Sequence, residues 1–114
     1  MRHIDAVRRV LALLLLTGSL CADAGEASGP VSKVIVRQSD GITYFYVNGP
    51  ATGKPACANH AYWIIQDENS SAGRSILTLV LSAQASGQRV TVHGNNTCTR
   101  WHDGEDVLWL QVGQ

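Results

Sequence analysis

The sequence predicts a mainly β domain with one helix, built as a small barrel, on three observations. One stretch, from Ser70 to Gly87, carries helical periodicity; three β-rich runs precede it and two follow; and what remains after an amino-terminal export signal is short enough for a single domain.

The export signal comes first. Arg2, Arg8 and Arg9 precede the apolar run from Val10 to Leu16, and Ala22-Asp23-Ala24 offers small residues at a cleavage site. Residues 1–24 therefore read as a secretory signal peptide and 25–114 as the mature domain, secreted or periplasmic. The apolar run is far shorter than the roughly 20 residues a membrane span needs. Gly25 to Pro30 is small and polar, and reads as a flexible mature N-terminus.

Lys33 to Gln38 alternates loosely, as a strand with one buried face does, and Ser39-Asp40-Gly41 is a tight-turn signal. Ile42 to Val47 follows as its hairpin partner, rich in the aromatic and β-branched residues that fit a pleated surface. Asn48-Gly49-Pro50 breaks that strand, and a Gly- and Pro-containing loop leads to Cys57. Ala61 to Ile65 reads as the third strand, Arg89 to His93 as the fourth and Val107 to Val112 as the fifth.

Between the third and fourth strands lies the helix. Ser70 or Ser71 supplies a hydroxyl N-cap and Gly87 a left-handed C-terminal stop. At 100° per residue, Ala72, Ile76, Leu79, Val80 and Ala83 share one face, widened by Leu77 and Leu81. The other face carries Ser75, Thr78, Ser82, Ser86 and one charge, Arg74. A surface helix ordinarily shows Lys and Glu to water. Two readings follow: a plain outer face over the barrel mouth, or an oligomer interface at Arg74, Thr78 and Ser82. Three strands, a helix and two strands is the order of the OB-fold, a five-stranded Greek-key barrel.

Three cysteines are awkward in an exported protein, but Cys21 leaves with the signal and Cys57 and Cys98 remain as a pair. They are expected to form a disulfide, worth about 4 kcal/mol in the chain-entropy model. A metal site or a reactive thiol lacks the close cysteine spacing or basic surroundings it needs. In residues 25–114 six basic residues (Lys33, Arg37, Lys54, Arg74, Arg89, Arg100) face seven acidic ones (Glu26, Asp40, Asp67, Glu68, Asp103, Glu105, Asp106). With no clustered basic surface, nucleic acid is not an expected partner.

The segment from Ser32 to Cys98 resembles the subtilase cytotoxin B subunit and the small secreted bacterial proteins related to it. The resemblance is carried by Val34-Ile35-Val36, the Tyr44-Phe45 strand ending in Asn48-Gly49, the Cys57 loop and the helix exit Ala85-Ser86-Gly87-Gln88-Arg89-Val90. It implies a non-enzymatic subunit that binds cell-surface glycans on its outer surface and assembles as a homopentamer with the helices around a pore. Ser32 stands where that family's serine contacts a sialic-acid sugar, and His93 stands where the family has an aromatic contributor. Tyr46 stands where the family has a cysteine, and no catalytic A subunit is implied.

The remaining candidate chemistry is sparse. His60, His93 and His102 lie in different segments without ligand spacing, so no metal and no cofactor is expected. No serine sits in a Gly-x-Ser-x-Gly turn, and a barrel of this size offers little room for a water-excluded cleft, so no catalytic residue is assigned. Trp101-His102-Asp103-Gly104-Glu105-Asp106 reads either as a calcium or sugar site or as an acidic loop between strands. Tyr44 and Tyr46 alternate with Phe45, so one of those two sets faces outward, and exposed aromatics on such a barrel make a binding platform. Ser32, Tyr44 and His93 are thus the expected glycan-binding residues. The alternative is a monomeric periplasmic protein of structural or inhibitory role.

Overall fold

A computed structural model describes residues 24–114; residues 1–23, which include Cys21 and all but the last residue of the expected signal, lie outside the described residues. The elements are β1 (Glu26–Val36), β2 (Thr43–Val47), β3 (Trp63–Ile64), α1 (Ser71–Ser86), β4 (Arg89–Gly94) and β5 (Glu105–Val112). They form a closed barrel in the order β1-β2-β3-β5-β4. All neighbours are antiparallel except β3 and β5, whose parallel pairing of Trp63 with Glu105 and Ile64 with Asp106 shuts the barrel. Five strands, with one helix between the third and fourth, give the OB-fold-like architecture that the element order predicts.

Period-two alternation decides which side chains enter the barrel. Phe45 on β2 and Val90 and Val92 on β4 are fully buried, while Tyr44, Tyr46, Thr91 and His93 point the other way. Trp63 and Ile65 fill the centre, while Ile64, equally buried, faces the other way under Tyr62; each of these large apolar side chains contributes on the order of 1.5–3 kcal/mol by leaving water.

β1 starts well before the expected Lys33. Glu26 to Pro30 pairs with β4 from His93 back to Arg89, and the inward residues are Ala27, Gly29 and Val31. Small inward residues give no hydrophobic alternation to read, yet the backbone ladder makes this segment a strand rather than a flexible tail. β5 likewise starts early, at Glu105, so the acidic loop ends sooner than its composition suggests. β3 is shorter than expected, because Ala61 and Tyr62 belong to the preceding loop.

In α1 the Ser70 hydroxyl caps the Gly73 amide at 3.0 Å, and Gly87 takes the left-handed conformation at φ 72°. The buried stripe is Gly73, Val80 and Ala83, flanked by half-buried Ile76 and Leu77. Ala72, Leu79 and Leu81, expected on the inner side, are exposed, the two leucines at 39% and 47%. Each lies about 80–100° from Val80 around the helix, and the narrow barrel mouth covers a thinner stripe than the apolar content of the helix allows.

Candidate functional site

All three tyrosines of the chain meet on the outside of β2 and the loop before β3. The Tyr44 and Tyr46 rings lie 4.9 and 5.9 Å from the Tyr62 ring, and His60 stacks on it at 5.3 Å with an interplanar angle of 7°. Lys33 reaches over Tyr46 from β1, its Nζ 5.3 Å from the ring centre. The Tyr62 hydroxyl donates to Asp103, which also lies 3.5 Å from His60 Nε2. Burial, followed by the Asp103 hydrogen bond and charge, pushes the Tyr62 phenol well above the ordinary tyrosine range. Tyr62 is therefore a fixed, neutral hydrogen-bond donor.

Two loops bring charge and a fourth aromatic to this face. From the β1–β2 turn, Arg37 forms an ion pair with Asp40 and lays its guanidinium 4.2 Å above the Trp101 ring of the β4–β5 loop. The hydrogen bond from Arg37 holds the Asp40 carboxyl below the usual carboxylate range, and Arg37 is raised in turn. Arg37, Ile42, Tyr44, Tyr62, Ile64 and Trp101 enclose a pocket of about 40 Å³. That volume admits a methyl or hydroxymethyl group, not a whole sugar ring.

Buried polar chemistry holds the β4–β5 loop. The Asp106 carboxylate is fully buried and accepts from the Thr97 hydroxyl at 2.7 Å, the Thr99 hydroxyl and amide at 2.6 and 2.9 Å, and the Arg100 amide at 3.3 Å. Arg100 then spans three segments: both its terminal nitrogens reach the Glu68 carboxylate, one also donates to Gln66 O at 3.0 Å, and the other to Asp40 O at 3.2 Å. A disulfide joins Cys57 and Cys98, as the cysteine count predicts, with Cα atoms 6.2 Å apart and a sequence separation of 41. It pins the β2–β3 loop to the β4–β5 loop, so the segments carrying Tyr62 and Trp101 are tied together.

The expected glycan residues fall in two places. Tyr44 is a wall of the pocket. Ser32 sits on the same side at a β-bulge between Val31 and Lys33, where its hydroxyl donates to Tyr46 O at 3.5 Å. His93 lies elsewhere, on the outer face of the β1-β4-β5 sheet. Its ring stacks on Trp109 at 4.1 Å, and its Nε2 lies 3.1 Å from Glu26 Oε1. Beside it the Ser28 and Thr91 hydroxyls are 2.9 Å apart. Ser32 is six residues along β1 from Glu26, on the order of 20 Å at about 3.3 Å per residue. No hydrogen bond or ring contact among the described residues joins His93 to Ser32 or Tyr44.

Sequence reasoning missed Arg37 and Tyr62 as members of the face. Tyr62 had a signal, the crowding of aromatic side chains at Tyr62 and Trp63, but its outward direction depended on the start of β3. The Trp101–Asp106 cluster divides: Trp101 and Asp103 join the face, whereas Glu105 and Asp106 are buried in β5. On the outer side of α1, Thr78 donates to Arg74 O at 2.9 Å and Ser86 to Ser82 O at 2.8 Å. Ser71, Arg74, Ser75, Thr78 and Leu79 line a shallow groove there. Among the described residues there is no group of three or more His, Cys, Asp or Glu side chains placed to hold a metal, and no helix long and apolar enough to cross a membrane. No protein-family model, curated protein or solved structure matches the chain.

Proposed function

We propose that the protein is a secreted or periplasmic, non-enzymatic subunit that binds cell-surface glycans on the face formed by Tyr44, Tyr62 and Trp101. The observation that carries this reading is the position and make-up of the aromatic pocket. It lies over β2 and β3 between the β1–β2 and β4–β5 loops, where OB barrels receive oligosaccharides. The apolar C–H face of a pyranose packs on phenol and indole rings, while Arg37, Asp40 and Asp103 at the margin offer donors and acceptors to ring hydroxyls. One small substituent enters the pocket and the ring lies across Tyr44 and Trp101. Ser32 and Lys33 extend the same surface past Tyr46. His93 belongs to the separate Trp109 patch and is left out of this contact.

The test is a glycan array followed by titration calorimetry with the sugars that score. Trp101→Ala and Tyr44→Ala should each weaken binding about tenfold or more, in line with the loss of one aromatic stack. An array without a binder, or variants that bind like the parent, contradicts the reading.

Self-association through α1, as a homopentamer or a smaller ring, belongs to the same proposal. It is supported by Leu79 and Leu81 standing exposed on the two flanks of a face whose one charge is Arg74. Light scattering on the mature chain should give several subunits. The second reading, a monomeric periplasmic protein that binds another protein, is favoured by the hydroxyls of Thr78 and Ser86, which are already satisfied by their own helix. A stable monomer at micromolar concentration selects that reading.

A further inference from the structure

Glu105 is the least well satisfied polar side chain of the described barrel. It is fully buried at the start of β5, where its Oε2 accepts from the amides of Gly25 at 3.0 Å and Asn96 at 2.9 Å, and its Oε1 is buried with no hydrogen-bond partner. Two amide hydrogens are thin compensation for a carboxylate out of water, and such groups are ordinarily matched by a cation. Lys54 does not supply one directly. Its ammonium donates to His60 O and Tyr62 O and lies 4.1 Å over the Trp63 ring, and among the described residues it forms no ion pair with Glu105. Burial holds Lys54 below the ordinary lysine range although the Glu105 charge works against that.

The group that faces both oxygens is the backbone of Gly25. Its nitrogen bonds Oε2, and Oε1 lies so near that a β-carbon at position 25 would fall 2.2 Å from it. Gly94 flanks the carboxylate from the other side, where a β-carbon would fall 1.9 Å from Oε2. A β-carbon at either position would have to displace the carboxylate. Gly25 is anchored by its own side of the chain: its carbonyl accepts from the Gly94 amide at 2.8 Å, and Glu26 exchanges two backbone hydrogen bonds with Thr52, both at 2.9 Å. An amide nitrogen at Gly25 brings one hydrogen to this place, whereas a free amino terminus brings three hydrogens and a positive charge. The small-residue cleavage pattern at Ala22-Asp23-Ala24 ends immediately before it.

We infer that the chain is cut between Ala24 and Gly25 and that the α-ammonium group so freed seats as a buried ion pair on the Glu105 carboxylate, so that removal of the leader completes the fold. The cut is a hydrolysis by an export-leader peptidase. The Ala24–Gly25 carbon–nitrogen bond breaks, water adds its hydroxyl to the Ala24 carbonyl carbon and a hydrogen to the Gly25 nitrogen, and the resulting amine takes up a proton. Oε1, unpartnered against the amide, then receives a donor. The inference is independent of what the aromatic face binds.

Intact mass and amino-terminal sequencing of the full chain after export from a bacterial host should give residues 25–114 with one disulfide; any other amino terminus overturns the inference. Proteins starting at Gly25 and at Ala24, released from fusions, are then compared in the parent and in Glu105→Gln. The Gly25 form should melt about 5 °C or more above the Ala24 form in the parent, with the gap closing in Glu105→Gln. Equal melting of the two parent forms, or an undiminished gap in Glu105→Gln, overturns it. Should Glu105→Gln fail to fold, acylation of the α-amine decides: protection at least tenfold over the denatured chain is expected, and labelling at the denatured rate is contrary.

Discussion

Two patches of the barrel wall carry exposed aromatic rings, and they are built by different means. On the β1-β4-β5 sheet, His93, Trp109 and Glu26 meet because strand register sets them side by side, His93 opposite both of the others. Nothing beyond the ladder is needed. On the β2–β3 side, Tyr44 and Tyr46 stand on a strand, but Tyr62, Trp101, Arg37 and Asp103 arrive on loops. Their positions depend on Asp106, Arg100 and the Cys57–Cys98 disulfide. A register-built patch is flat and survives most perturbations short of unfolding. A loop-built patch can enclose a pocket, and it is vulnerable at buried polar residues some distance from its surface.

Replacing Asp106 by Ala should separate the two most strongly. It removes the buried acceptor shared by four part-buried donors from Thr97, Thr99 and Arg100, and a cost of about 3 kcal/mol in urea unfolding is expected. At temperatures where the variant stays folded, acrylamide should quench Trp101 more readily while the His93–Trp109 stack persists. Replacing Cys57 and Cys98 together by Ser comes next, at about 2–4 kcal/mol, again with sugar binding weakened because two loops are untied.

Tyr62→Phe is smaller, about 1 kcal/mol or slightly more in thermal unfolding, since one hydrogen bond to Asp103 is lost and the rings remain. The weakest perturbation is acid. The Asp40 carboxyl is held below its unfolded value by Arg37, so whatever this pair contributes is fully present above about pH 4 and is lost as the pH falls through the lower folded value. Amide chemical shifts of the β1–β2 turn should stay constant from pH 7 to about 4 and move only below it.

How much of this was legible in the residues follows the same division. The helix with its Ser70 and Gly87 caps, the opposite facing of Tyr44 and Tyr46 against Phe45, though not which set points outward, and the Cys57–Cys98 pair were readable, because each rests on local periodicity or on counting. The first half of β1 was not, since its inward residues Ala27 and Gly29 are too small to mark a buried face. Glu105 and Asp106 read as part of an acidic loop or a calcium or sugar site because composition does not reveal that the amides and hydroxyls of a loop will close around a carboxylate. The separation of His93 from Ser32 is likewise a matter of tertiary geometry, invisible until β1 is traced through both halves of the barrel.

The three tryptophans make the central claim directly measurable, since Trp63 is buried in the core, Trp101 walls the pocket and Trp109 stands on the other patch. Titrating the ¹⁵N-labelled mature protein with 3′-sialyllactose and with lactose, and following the three indole N–H signals, distinguishes the faces in one experiment. Binding on the loop-built face predicts that the Trp101 signal shifts or broadens while Trp63 and Trp109 stay in place. Movement of Trp109 with Trp101 unchanged, or no movement of any indole at millimolar sugar, would contradict it.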